Sequence, residues 1–189
     1  MWTTDILREE HRWVLRMLDC LERVIALSVQ RGQLDSTASV ELLSLFAYFA
    51  DGLHQQREER CLFPRLLTRA SSVDERVEIG KLCGDHEQER HLMQGLNENL
   101  LGAIYGEPLS LREFAREARA YVELHRQHLA HENLRLLPLA ERLLSHEDDE
   151  SIVQGFRRLE SEGPQELRRV FERIQTLSER LGLGAPAAS

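Results

Sequence analysis

Two stretches of the chain, HQQREERCLFP at residues 54–64 and HLAHENLRLLP at residues 128–138, share the pattern His-x-x-x-Glu-x-x-x-Leu-x-Pro. In each stretch the histidine and the glutamate are four residues apart, which places both side chains on one face of a helix. Such a pair can direct an imidazole and a carboxylate at the same point. Because the pair occurs twice in matched contexts, we interpret the chain as two similar halves.

A single histidine precedes each stretch at nearly the same distance. His11 lies upstream of His54, and His86 lies upstream of His128. If each half forms two antiparallel helices, following one helix up and the next one down brings the two histidines of that half to the same depth. The sequence therefore predicts a site formed by two similar halves. The candidate metal ligands are His11, His54, Glu58, His86, His128 and Glu132.

The composition of this candidate site favours a pair of metal ions. Burying four imidazoles and two carboxylates in an apolar bundle is costly unless they are paired or coordinate a metal. The alternative is that the residues form ordinary surface pairs four residues apart, and the duplication argues against it. The donor set contains no thiolate, which disfavours structural zinc. Imidazole and carboxylate together suit iron, with manganese and zinc as lesser options.

The spacing of apolar residues predicts helices almost throughout, because they recur at three and four positions. We expect a first helix from Thr4 or Asp5 to about Ser28 and a second from Ser36 that kinks or ends at Pro64. A third helix should end near residues 102–106. A fourth should begin with a capping box formed by Ser110 and Glu113 and run to Pro138. The fold class is thus all-α, an up-down-up-down four-helix bundle with additional C-terminal helices.

The chain divides most simply into a bundle at residues 1–145 and a C-terminal helical extension at residues 146–189. Within the extension, Gly163-Pro164 should separate two amphipathic helices, and the last residues, GLGAPAAS, should fray. The extension either packs on the bundle or forms a surface for a partner, which could be a second copy or another protein. The sequence leaves both possibilities open.

The overall composition limits the classes of partner. The chain of 189 residues has a formal net charge of −8, with acidic and basic residues interleaved. Such a surface repels phosphate backbones, so we expect no nucleic-acid partner. No apolar run is long enough to span a membrane, and the N-terminus shows no signal peptide. Three cysteines without paired spacing argue against a disulfide framework, so the expected location is the cytoplasm.

The two quoted stretches resemble the halves of a hemerythrin-like, or HHE cation-binding, domain. Glu10-His11 and Asp85-His86 fit the single-histidine positions of that family, and the resemblance extends over about residues 5–145. It implies a non-haem site of two iron ions with an oxo or hydroxo bridge. It further implies that the four histidines are terminal ligands, that Glu58 and Glu132 bridge, and that a small diatomic molecule or a peroxide binds.

Two departures distinguish the chain from the oxygen-carrying hemerythrins. Arg90 stands where those proteins have a further histidine, and Asn133 stands where they have an aspartate, with Glu132 one place earlier. The ligand set is instead similar to a bacterial hemerythrin-like group that includes proteins of iron–sulfur repair and of nitric oxide or peroxide responses. The cysteine-bearing N-terminal domain of the repair proteins has no counterpart in the sequence.

Three hypotheses on function follow. The first is a di-iron protein that binds, senses or responds to O2, nitric oxide or peroxide, or handles iron in oxidative stress. The second is an enzyme, a di-iron oxidase or peroxidase that turns over such species. The third is an interaction module whose C-terminal helices bind a partner under the control of the metal.

Other polar residues near the predicted ligands carry open interpretations. His125 and Tyr121 share the inward stripe of the fourth helix, so each is either core or a contributor to the site, with Tyr121 a possible hydrogen-bond donor to a bound oxygen species. Glu59 and Glu89 should be surface charges or acceptors for an imidazole N–H. Arg90 should be a salt-bridged surface residue or balance the charge of the site.

Overall fold

The computed structural model describes residues 1–160 and 163–184, which form six helices and no strand. The helices are α1 (Trp2–Arg31), α2 (residues 36–69), α3 (Val73–Ile104), α4 (residues 108–143), α5 (His146–Leu159) and α6 (Pro164–Arg180). The prediction of an all-α bundle with additional C-terminal helices is confirmed. Within the described residues, no helix is both long and apolar enough to cross a lipid bilayer.

Short turns join the first four helices, and each of these helices packs against two others. α1 contacts α2 and α4, while α3 contacts α2 and α4, so the four helices close into a ring around one interior. The turns occupy residues 32–35, 70–72 and 105–107. Such short connections force neighbouring helices to run antiparallel, which gives the up-down-up-down order of a four-helix bundle.

Local sequence signals explain three of the helix ends. Gly32 adopts a left-handed conformation with φ 71°, which ends α1 at no steric cost. The Asp35 side chain accepts a hydrogen bond from the Ala38 N–H at 2.9 Å and starts α2. Ser72 and Glu75 form a reciprocal capping box at the start of α3.

The capping box predicted for Ser110 and Glu113 is wrong. α4 begins at Pro108, with Glu107 as its first flanking residue, so Ser110 already lies inside the first turn. There its hydroxyl donates to a carboxylate oxygen of Glu107 at 3.1 Å. The proline explains the earlier start, because its fixed φ suits the first helical position and it has no N–H to leave unsatisfied.

α2 and α4 each continue through the proline of the repeated motif, so of the two outcomes predicted at Pro64, a kink or an end, the helix does not end there. In α2 a wide π-helical turn, Glu58–Leu62, precedes the proline, and in α4 the turn Glu132–Leu136 does the same. The Glu58 carbonyl accepts from the N–H of the residue five positions later, and the Glu132 carbonyl does likewise. A π turn accommodates one more residue than an α-helical turn, which relieves the clash that a proline ring makes.

A longer π-helical segment, Phe46–His54, lies earlier in α2 and ends at a predicted ligand. Its geometry requires a glycine at position 52. A Cβ atom on Gly52 would lie 2.6 Å from the backbone oxygen of Ala47, which is closer than real Cβ atoms come. The π-helical turn can therefore form only with glycine at position 52.

The apolar interior of the bundle is divided into two clusters along its axis. On α1, Leu7 belongs to one cluster and Val14 to the other, with His11 between them. On α3, Leu82 and Met93 flank His86 in the same way. The predicted ligands therefore lie in the layer that separates the two apolar clusters.

Both helices of the extension pack on the face of the bundle formed by α1 and α2. Ile152 and Phe156 of α5 join one apolar cluster, and Val170, Ile174 and Leu177 of α6 join the other. The division of the chain into a bundle of residues 1–145 and an extension from residue 146 remains a proposal. Fraying was predicted for residues 182–189, but Leu183 is held by two hydrogen bonds: its carbonyl accepts from Arg16 at 3.0 Å and its N–H donates to the Ser178 carbonyl at 3.0 Å. Residues 185–189 lie outside the described residues.

Candidate metal centre

The structure brings the six predicted ligands together in two overlapping groups. His11, His54, Glu58 and Glu132 form one group, and Glu58, His86, His128 and Glu132 form the other. Within each group, one nitrogen or oxygen atom of every residue lies within 4.8 Å of the others. The two glutamates belong to both groups. Each group is a candidate site for a cation, and the two candidate sites share Glu58 and Glu132.

Each imidazole turns its Nε2 atom towards a carboxylate of this centre. The Nε2 atom of His11 lies 3.3 Å from Glu132, and that of His128 lies 3.1 Å from the same residue. On the other side, Nε2 of His54 is 3.7 Å and Nε2 of His86 is 3.4 Å from Glu58. Each glutamate therefore faces two histidines from different halves of the bundle.

The unsatisfied polar atoms of the centre fit a cation. All six side chains are buried, with at most 2% of the surface of any of these residues exposed. Across the described ranges, no hydrogen bond satisfies Nε2 of His11 or His54, or any carboxylate oxygen of Glu58 and Glu132. Buried polar atoms without partners are rare in folded proteins, since each costs about 1–3 kcal/mol. A divalent metal would remove that cost at every one of these atoms.

The opposite ring nitrogen of each histidine faces an oxygen atom. Nδ1 of His54 donates to Glu10 at 2.9 Å, and Nδ1 of His86 donates to Glu59 at 2.8 Å. These oxygens can only accept, so the proton of each neutral ring lies on Nδ1 and the lone pair on Nε2 points into the centre. This is the arrangement that metal-binding histidines use.

The other two histidines have the same arrangement. Nδ1 of His11 lies 3.0 Å from the amide oxygen of Asn133, and Nδ1 of His128 lies 3.5 Å from the Asp85 carboxylate. The four acceptors follow the internal repeat of the sequence. Glu10 and Asp85 each immediately precede a histidine of the centre. Glu59 and Asn133 each immediately follow a glutamate of the centre.

Burial keeps two of the imidazoles neutral. It lowers the pKa of His54 well below its usual value, and the neighbouring histidines add to the effect. Burial and the nearby His128 lower the pKa of His86 to about 4. Neutral imidazole is the form that binds a metal, so both rings are ready to coordinate at neutral pH.

The two glutamates titrate in opposite directions in the metal-free protein. Burial, followed by repulsion from Glu132, raises the pKa of Glu58 well above its usual value. Burial also opposes the charge of Glu132, but His128 and His11 outweigh it and hold the pKa of Glu132 well below the usual range. Burial likewise opposes the charge of His128, yet Glu132 and Asp85 raise its pKa well above the usual value. In the metal-free centre Glu58 therefore keeps its proton to a higher pH than a free carboxylate does, while His128 and Glu132 form an ion pair.

A second polar cluster adjoins the centre on the side of α3 and α4. His125 and Glu89 are both fully buried, so the prediction of Glu89 as a surface charge is wrong. The Glu89 carboxylate accepts from the Gln55 amide at 2.7 Å and lies 3.5 Å from Nδ1 of His125. Both ring nitrogens of His125 are without a hydrogen-bond partner in the described part of the chain. Burial raises the pKa of Glu89 to about 8, so this group can hold a proton near neutral pH.

Tyr121 extends this cluster along α4. Its ring packs against His125, with the ring centroids 5.2 Å apart, and its hydroxyl interacts with the carboxyl group of Asp51. Burial and the charge of Asp51 raise its pKa well above the usual value, so the hydroxyl keeps its proton. Burial raises the pKa of Asp51 itself to about 6. Tyr121 is therefore a buried phenol that keeps its proton next to Asp51.

Arg90 is a partly exposed, salt-bridged residue, as one of its two interpretations predicted. Its guanidinium donates to Glu59 and to the amide oxygen of Gln55, both at 2.8 Å. Because Glu59 also accepts from His86, the arginine supports a residue that orients a ring of the centre. The cysteines Cys20, Cys61 and Cys83 are unpaired and belong to neither group of candidate ligands.

The all-α bundle contains buried histidines and carboxylates that are grouped as candidate cation ligands. These features are those of the class of helical metal-binding domains. The model of the hemerythrin HHE cation-binding domain matches residues 3–140. The chain belongs to this family, which confirms the resemblance seen in the sequence. Comparison with curated proteins and with solved structures finds no match, so the family model alone carries this assignment.

Proposed function

We propose that the chain holds two iron ions through His11, His54, His86 and His128, with Glu58 and Glu132 bridging the two ions. The observation that carries this proposal is that the two candidate cation-binding groups share both glutamates. A site for one metal would not need two carboxylates common to two sets of histidines. The unsatisfied Nε2 and carboxylate atoms support it as well.

The donor set supports iron above other metals. Neutral imidazoles and carboxylates without thiolate suit iron, with manganese and zinc as lesser options. When bound, an iron pair supplies electrons for redox chemistry and open coordination positions for a small molecule. We therefore propose that the protein binds, senses or responds to O2, nitric oxide or peroxide, or handles iron, in a reducing compartment such as the cytoplasm.

Metal content and an optical spectrum of the purified, air-exposed protein test the proposal. The expected result is about two irons per chain, because the proposed site holds two metal ions. The iron should also give ligand-to-iron charge-transfer absorption in the near ultraviolet. Mössbauer spectroscopy of the iron-loaded protein should show magnetic coupling between the two ions. Failure to take up iron after anaerobic reconstitution with Fe(II) would refute the iron proposal. One metal per chain would refute the shared role of the glutamates.

The second polar cluster favours an enzyme as the alternative function. Turnover of peroxide or O2 requires protons, whereas reversible carriage of O2 does not. Glu89, with its pKa of about 8, and the buried Tyr121 hydroxyl are groups that can hold a proton beside the centre. Repeated turnover of peroxide per site, lost in Tyr121→Phe at unchanged iron content, would favour the enzyme. A single spectral change per site on addition of O2 or nitric oxide would favour binding or sensing.

A further inference from the structure

Arg57 is an arginine buried almost completely inside the protein, with 1% of its surface exposed. It lies on α2 between the two predicted ligands His54 and Glu58. Its guanidinium forms ion pairs with Glu10 of α1 and with Glu160, which follows the last residue of α5. A buried charge is stable only when it is paired, so both carboxylates are needed in place.

Glu10 uses its other carboxylate oxygen to accept the Nδ1–H of His54 at 2.9 Å. A continuous series of polar contacts therefore runs from Glu160 through Arg57 and Glu10 to His54. Because Glu160 also pairs with the guanidinium, Arg57 neutralises the charge of Glu10 less completely than it would if Glu10 were its sole partner. Glu10 then keeps more negative charge with which to orient His54 and increase its basicity, the role that acceptors of metal-bound histidines have.

α5 touches the same part of α2 at two further points. The Arg57 guanidinium lies over the ring of Phe156, 5.2 Å from its centroid. A Cβ atom on Gly155 would lie 2.7 Å from the Cys61 sulfur, so the two helices are in close contact at the π turn that begins with Glu58. The C-terminal extension thus packs against the segment of α2 that carries the candidate ligands His54 and Glu58.

We propose that Glu160 is a positioning residue for the metal centre and that docking of α5 is coupled to metal occupancy through Arg57 and Glu10. This inference rests on the proposed metal function. Coupling between two sites is reciprocal, so the factor by which the docked α5 strengthens metal binding is also the factor by which metal stabilises the docked α5. The docking of α5 on the bundle therefore depends on whether the centre holds metal.

The test compares Glu160→Gln with the control Glu150→Gln in the full chain. Glu150 lies on the same helix, is exposed, and pairs with His146 at the surface at 3.4 Å. Metal affinity is measured by chelator competition with Co(II), whose visible spectrum reports ligand geometry. Amide hydrogen exchange of residues 150–159 is measured with and without Co(II).

We expect metal to slow exchange in α5 of the wild-type protein and of Glu150→Gln. Glu160→Gln should keep its metal stoichiometry but bind Co(II) about tenfold more weakly, with a shifted spectrum and little metal-dependent protection of α5. Glu160→Asp, which restores the charge, should recover part of the affinity. This conservative variant also keeps the test decisive if Glu160→Gln is poorly folded.

Two results would overturn the coupling. Wild-type affinity together with wild-type metal-dependent protection in Glu160→Gln would show that Glu160 does not act on the centre. Equal losses in Glu160→Gln and Glu150→Gln would show a general effect on α5. Failure of the wild-type chain to bind any metal would instead refute the proposed function and with it this inference.

Discussion

The Nε2 atoms of His86 and His128 lie 3.0 Å apart in the buried layer between the two apolar clusters. Two lone pairs cannot face each other at this distance without a proton between them. Because the pKa of His128 is raised well above its usual value, His128 carries that proton and donates it to the neutral His86. A metal that binds both rings must displace it.

Metal uptake should therefore release protons and weaken as the pH falls. Because the pKa values of His128 and Glu58 are raised, both groups keep their protons to a higher pH in the metal-free protein than free side chains do. Lowering the pH favours this protonated state, and raising the pH favours the metal-bound one. Calorimetric titration with Co(II) in two buffers of different ionisation enthalpy should show a net release of protons on metal binding. A buffer-independent binding enthalpy would contradict this picture.

Removing a predicted ligand should abolish loading of the pair without unfolding the protein. His54→Ala and Glu132→Ala should each reduce the metal content by at least half, because each residue belongs to a candidate cation group. The helix content by circular dichroism should change little, since two apolar clusters hold the bundle. His91→Ala, an exposed histidine on α3, is the control and should keep full loading. Unchanged stoichiometry in both ligand variants would refute the assignment of the site.

Removing an acceptor behind an imidazole should weaken metal binding without abolishing it. Glu59→Ala deprives the Nδ1–H of His86 of its partner, and losses of this kind cost about 10–100-fold in metal affinity. Chelator competition measures the change. The matched control is Glu87→Ala, which removes an exposed glutamate of α3 that belongs to neither candidate cation group. If both variants bind metal like the wild type, the acceptor has no role in binding.

Two helical glycines should respond to alanine with opposite signs. A Cβ atom on Gly52 meets the Ala47 carbonyl at 2.6 Å, whereas a Cβ atom on Gly80 meets no atom within 4 Å. Gly80→Ala should raise the free energy of unfolding by about 0.5–1 kcal/mol, since glycine is a poor helix former. Gly52→Ala should lower it by about 1–3 kcal/mol because the π segment cannot accommodate the methyl group. Urea denaturation of the metal-free protein measures both, and stabilisation by Gly52→Ala would show that the wide turn is dispensable.

The helices and the convergence of the candidate ligands were predictable because both depend on short-range spacing. The pair of His54 and Glu58, four residues apart, needs only helical geometry, and the duplication supplies the partner pair. Helix ends were less predictable. Ser110 and Glu113 match a capping box by sequence, but Pro108 starts the helix earlier.

The wide turns were invisible in the sequence because the hydrogen bonds of a π turn are a property of the backbone. Pro64 indicated a disturbance of the helix, yet a helix end and a wide turn both accommodate a proline. The burial of Glu89 depended on which neighbours the bundle brings to α3, which no local pattern encodes. The acceptors Glu10 and Asp85 carried a detectable signal, since each is an acidic residue immediately before a histidine of the centre.

Two of the four imidazoles of the centre have their hydrogen-bond acceptor in the opposite half of the chain. Glu59 of the first half serves His86 of the second, and Asn133 of the second half serves His11 of the first. Neither half orients all of its own histidines, so neither is a smaller version of the whole. Severing the polypeptide in the 70–72 turn should therefore yield fragments that must associate before either acquires an ordered half-site. A substitution of Glu59 or Asn133 in one half therefore removes the acceptor of a histidine in the other half, so the two halves form a single structural unit.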